Sequence, residues 1–79
     1  MKKMNAKRRK IIKKSMEIIE GQQEIIDSLM EEEQEYLDNM PENLEGSSRY
    51  EKAEEALQNL EDARNMLEEA FDYLECAID

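Results

Sequence analysis

The chain has no histidine and no tryptophan, and only one cysteine, one proline and two glycines in 79 residues. A lone Cys76 excludes an intramolecular disulfide, and without histidine a zinc site lacks its usual nitrogen and thiolate ligands. The same absence leaves Cys76 without a base to activate it, so it reads as a passive thiol. Apolar runs are as short as Ile11-Ile12 and Ile25-Ile26, which leaves no transmembrane span and no signal-peptide apolar region. The aromatic residues Tyr36, Tyr50, Phe71 and Tyr73 are too scattered for a cofactor box. The expectation is a protein of the reducing cytoplasm with no catalytic residues, no cofactor, no metal and no membrane insertion.

What the chain does have is charge and period. Charged residues make up 41% of it, a level that with few aromatics borders on disorder. Periodicity argues the other way. Ala53, Leu57, Leu60, Arg64, Leu67, Phe71, Leu74 and Ile78 step four and three without a slip, beside a column of Ala56, Ala63, Ala70 and Ala77. A strict seven-residue repeat keeps one seam of a helix against a partner helix, as in a coiled coil. Upstream, Ile12, Ile19, Ile26 and Met40 form a second column, flanked by Ile11, Ile18 and Ile25 on one side and by Met16, Leu29, Met30, Tyr36 and Leu37 on the other. That stripe is wide enough to touch more than one neighbouring helix.

The spacing predicts a first helix over about 6–39, interrupted but not ended by Gly21. Pro41 removes an amide donor and pushes Met40 from helical dihedrals, and Asn39, Asn43 and Gly46 supply turn chemistry, so a turn is predicted over 40–47. Ser48 followed by Glu51 reads as a capping box that opens a second helix over about 48–77. The fold class is therefore all-α: residues 11–79 form an antiparallel two-helix hairpin, preceded by a basic, frayed head over 1–10. Seventy-nine residues bury little core, and hairpins with stripes this wide are expected to dimerise into a four-helix bundle. The seam residues, within the hairpin or between two hairpins, are Ile12, Ile19, Ile26, Leu37, Ala56, Leu60, Ala63, Leu67, Ala70 and Leu74.

Several side chains invite a chemical reading. Glu33 sits where the apolar column predicts a hydrophobe, and Arg64 breaks the Leu57, Phe71, Ile78 column. Di-metal bundles point carboxylates inward with Glu-x-x-His pairs, but there is no histidine to complete one. Arg64 is expected to snorkel beside Gln22 and Gln23, or to pair with Glu33 across a dimer, as a polar layer that fixes register. Cys76 takes the place that Glu55, Asp62 and Glu69 occupy in earlier heptads and is expected at the edge of the seam. Tyr36 and Tyr50 are expected to seal the turn end.

The net charge of −10 is divided. Lys2, Lys3, Lys7, Arg8, Arg9, Lys10, Lys13 and Lys14 put +8 into the first fourteen residues and leave −18 on the rest. Glu31, Glu32, Glu35, Asp38, Glu54, Glu55, Glu61, Asp62, Glu68 and Glu69 form a candidate protein-binding acidic face, which would meet a basic groove or simply keep the protein solvated. Lys7, Arg8, Arg9, Lys10, Lys13 and Lys14 form a candidate nucleic-acid-binding arm, with a clasp onto acidic helix ends, a solvated tail or an anionic-membrane anchor as the competing readings.

Residues 31–50, with the turn Asn39-Met40-Pro41-Glu42-Asn43-Leu44 and the Ser48-to-Glu51 helix start, precede repeats of the type Leu-Glu-Glu-Ala. This stretch, continued to residue 79, resembles uncharacterised short acidic helical proteins of Firmicutes phages and mobile elements. The resemblance implies a context rather than a chemistry, and the lysine-rich head lies outside it. The functional expectation is a non-catalytic interaction module, a phage or mobile-element accessory protein that binds and modulates a host protein, one that handles nucleic acid or serves defence, through its acidic face. The alternatives are a helical homodimer that binds nucleic acid through its basic head, and a structural or assembly protein.

Overall fold

Two amphipathic stretches of similar length, parted by one proline, fold back on each other. The computed structural model describes residues 5–79; Lys2 and Lys3 of the predicted head lie outside the described residues. Helix α1 spans Ala6–Asp38. Asn5 opens it, its Oδ1 accepting from the Arg8 amide at 2.9 Å, which satisfies one of the orphan donors of the first turn. Lys7 to Lys14 are helical, within the span predicted for the first helix. The Asn39 amide still donates to the Glu35 carbonyl at 3.0 Å, and then Pro41 ends the helical path.

A single 3₁₀ turn, Glu42–Leu44, leads to Gly46, whose φ of 78° lies in the left-handed region that favours glycine. Helix α2 spans Ser48–Ile78. Its cap corrects the predicted capping box: Ser47, not Ser48, is extended (φ −72°, ψ 164°) and accepts from the Tyr50 amide at 3.2 Å. Counting from Ser47, the third residue is Tyr50, so no carboxylate returns the bond. Glu51 falls in the first turn, where its charge meets the positive end of the helix dipole. Replacing Ser47 with alanine should cost about 1 kcal/mol of stability, whereas the same change at Ser48 should stay within a few tenths. Thermal melts of the two variants check this, and equal losses would reassign the cap.

The two helices pack along their length as an antiparallel hairpin. The seam positions drawn away from solvent on α1 are Arg9, Ile12, Met16, Ile19, Gln23, Ile26, Met30, Glu33 and Leu37, continued by Met40 after the helix, with Gly21 and Asp27 half-buried beside them. On α2 they are Tyr50, Ala53, Leu57, Leu60, Arg64, Leu67, Phe71, Leu74 and Ile78. Both series alternate steps of three and four, the coiled-coil pattern. Met30 and Leu57 line one groove with Leu37 and Tyr50, so residues face each other when their numbers sum to about 87.

Seven of the ten predicted seam residues, Ile12, Ile19, Ile26, Leu37, Leu60, Leu67 and Leu74, belong to this series. The alanines stand one residue before it: Ala56 and Ala70 are half-buried beside the seam and Ala63 is exposed.

Among the described residues only Met16, Leu37 and Ala53 are buried. The molecule measures 62 × 17 × 12 Å with a radius of gyration of 18.1 Å, against about 12 Å for a globular chain of this length. Its core is one layer of side chains. No described helix is long and apolar enough to cross a membrane.

Candidate functional site

The sides of a hairpin follow from its seam. On α1 the residue after each seam position is rotated by about 100° about the helix axis and emerges on one side of the hairpin. Because α2 both runs and faces the opposite way, the two reversals cancel, and its following residues emerge on that same side. The residues preceding the seam positions emerge together on the other side.

The following positions are entirely polar on both helices. They comprise Lys10, Lys13, Glu17, Glu20, Glu24, Asp27, Glu31, Gln34 and Asp38 on α1, and Glu51, Glu54, Gln58, Glu61, Asn65, Glu68, Asp72 and Glu75 on α2. Gln34, Glu54, Gln58 and Glu61 line one shared groove, and Glu20, Glu68 and Asp72 another, which confirms that both helices present this side together. Twelve carboxylates, six from each helix, are spread along the 62 Å length, about one per 5 Å. Duplex DNA carries one charge per about 1.7 Å, so this side is a polyanion of moderate density.

This arrangement divides the predicted acidic face. Glu31, Asp38, Glu54, Glu61 and Glu68 are on the carboxylate side. Glu35, Glu55, Asp62 and Glu69 occupy the outer edges, opposite the seam, and Glu32 lies on the other side with Tyr36, Met40 and Arg49. Missing from the prediction were Glu17, Glu20, Glu24, Asp27 and Glu51, and Asp72 and Glu75 join the side from the carboxylates of helix two. The signal that finds them is position relative to the seam, not clustering along the chain.

Arg64 is the one cation of the carboxylate side's middle. Its guanidinium Nε donates to Asp27 Oδ1, and Nη1 lies 3.5 Å from Glu68 Oε2. The predicted partners were Gln22 and Gln23 at the same height, or Glu33 of a second chain. Gln23 does line the Arg64 groove, but the long side chain reaches one turn along α1 to the charge at Asp27. The hydrogen bond that Arg64 donates to Asp27, and then the charge of that carboxylate, hold the guanidinium above its ordinary pKa. The shift keeps the guanidinium itself charged at every pH below its ordinary value. The Arg64 side chain is 35% exposed and that of Asp27 47%, so the pair adds little to stability.

The preceding positions are mixed but mostly apolar. Ile11, Ile18, Ile25, Leu29 and Tyr36 on α1 are exposed, as are Met66 and Tyr73 on α2, with Ala56, Ala63, Ala70 and Ala77 among the latter pair. Tyr36, Arg49 and Lys52 line one groove, so here too the helices share a side. Tyr50, predicted with Tyr36 to seal the turn, enters the seam, whereas Tyr36 stays 47% exposed on this side.

The basic residues of α1 are distributed around its axis: Arg9 in the seam, Arg8 on the apolar side, Lys10 and Lys13 on the carboxylate side, Lys7 and Lys14 on the outer edge. Arg9, Lys10 and Lys13 share one shallow groove with Ala6. Among the described residues they form no ion pair. Cys76, expected at the seam's edge, is exposed on the outer edge of α2, two positions past Leu74. Among the described residues no group of three or more Cys, Asp or Glu side chains is arranged to hold a metal ion.

No family model, curated protein or solved structure matches the chain.

Proposed function

We propose that the chain is a non-catalytic interaction module that engages a basic surface of a protein partner with its carboxylate side. The observation that carries this reading is the complete absence of apolar residues from the positions following the seam on both helices, over the full length of the hairpin. A merely solubilising surface tolerates scattered hydrophobes and mixes charge signs. This one keeps a single sign beyond Lys10 and Lys13, apart from Arg64, which Asp27 and Glu68 engage. A groove that normally holds nucleic acid is one such basic surface, which makes a nucleic-acid-handling or defence protein of the host the partner of choice. The resemblance of residues 31–79 supports a phage or mobile-element setting in which modulating such a protein is useful.

The test compares what the full chain captures from a nuclease-treated host lysate with what two variants capture. One lacks residues 1–10; the other carries Glu54→Lys, Glu61→Lys and Glu68→Lys. The proposal expects a partner kept by the truncated form and lost by the charge-reversed one, with affinity falling at least tenfold as salt rises from about 50 to 500 mM. Capture that disappears with nuclease or with the head instead makes Lys7 to Lys14 the working part. That second reading is weaker here because those cations point in several directions around α1.

A further inference from the structure

The side of the hairpin opposite the carboxylates is where the structure is unfinished. Ile18 is 59% exposed and Met66 61%, and they belong to the mostly apolar side that Ile11, Ile25, Leu29 and Tyr36 share with Tyr73 and the alanines of α2. The chain exposes 6433 Å², whereas a compact monomer of 9.4 kDa exposes about 5000 Å². A flat side 62 Å by 17 Å can cover the roughly 800 Å² per partner that a standard stable interface buries.

We infer that this side binds a second copy of the chain, in a two-fold arrangement that sets the turn of each hairpin against the open end of the other. Charge selects the direction. Residues 31–55, around the turn, hold ten carboxylates against Arg49 and Lys52, a net −8. The open end, residues 5–20 and 68–79, holds seven carboxylates against six cations, a net −1. Placing turn beside turn brings two −8 ends together, and the repulsion opposes association. Turn against open end separates them and sets each −8 segment beside an end whose net charge is only −1.

The side chains fit this direction. Facing residues in the hairpin sum to about 87, so Gln22 and Met66 stand at about the same height, and a two-fold axis between them relates each stripe to its own reverse. Ile18 then lies over the partner's Ile25, Ala63 over the partner's Ala70, and Met66 over the partner's Met66. Small alanines let the two copies of α2 approach closely while the isoleucines fill the wider gap between the copies of α1.

Sedimentation equilibrium on the full chain should show a dimer. In a Cys76→Ser background, Met66→Cys, which replaces an exposed side chain, should oxidise to a covalent dimer at least an order of magnitude faster than Asn65→Cys on the carboxylate side, because only residue 66 meets its own copy. Ile18→Lys with Ile25→Lys should weaken self-association about a hundredfold or more, whereas Glu61→Lys should leave the mass unchanged. A chain that stays monomeric overturns the inference. So does a dimer in which residue 66 crosslinks no faster than residue 65, since that is the outcome for turns placed side by side. The inference is independent of the carboxylate-side reading, because each is tested by substitutions on the side the other does not use.

Discussion

Ala53→Asp should abolish the folded hairpin. Ala53 is the least exposed residue described, at 4%, and it lies where α2 comes against α1 near Glu33, with which it lines a groove. A carboxylate at that point loses water and gains a like charge as its neighbour, and an uncompensated buried charge costs about 3–5 kcal/mol. A single-layer core in a chain of this size has only a few kcal/mol of net stability to lose. Circular dichroism should show a helical signal that no longer melts cooperatively, while Asn65→Asp, exposed on the carboxylate side, should melt within about 0.5 kcal/mol of the parent. An Ala53→Asp protein that melts like the parent would show that the helices are not packed at this point.

Added salt should raise the melting temperature. The turn end carries a net −8 within a few helical turns, and Arg64, the cation nearest the middle, is already engaged by Asp27 and Glu68. Raising ionic strength from about 10 mM to 1 M shortens the screening length from about 30 to 3 Å, which removes most of that self-repulsion. If this is worth about 1 kcal/mol, the midpoint of a chain this small rises by about 4–8 °C. Calorimetry across a sodium chloride series checks the direction. A midpoint that falls with salt would mean that attractive pairs, not repulsion, dominate the electrostatics of the fold.

The fold was legible because its signals are redundant. In α2 the series from Ala53 to Ile78 names every seam residue after Tyr50, Arg64 included, and Pro41 marks where α1 stops. The choice between Ser47 and Ser48 was not legible, since both are serines followed by a short polar stretch. It is settled by the left-handed Gly46, which leaves Ser47 extended and Ser48 already helical. Arg64's partner was misread for a different reason: facing heights predict where backbones meet, but a long side chain reaches a turn beyond. The carboxylates were grouped by nearness along the chain, which put Glu55 and Glu61 on one surface. Helical rotation puts them on different ones, and it gathers Glu17 and Glu75, far apart in sequence, onto the same side.

The placement of Gly46 and the Ser47 cap beside the reversal that joins the two helices has a kinetic meaning. Once that turn closes, each further pair along the seam is brought together by the pair before it, so no long loop ever has to be shut against its entropy. Folding is expected to run as a zipper from Tyr50 and Leu37 toward Ile78 and Arg9. Amide exchange should follow the same path in reverse, with the open end exchanging first and the turn end last.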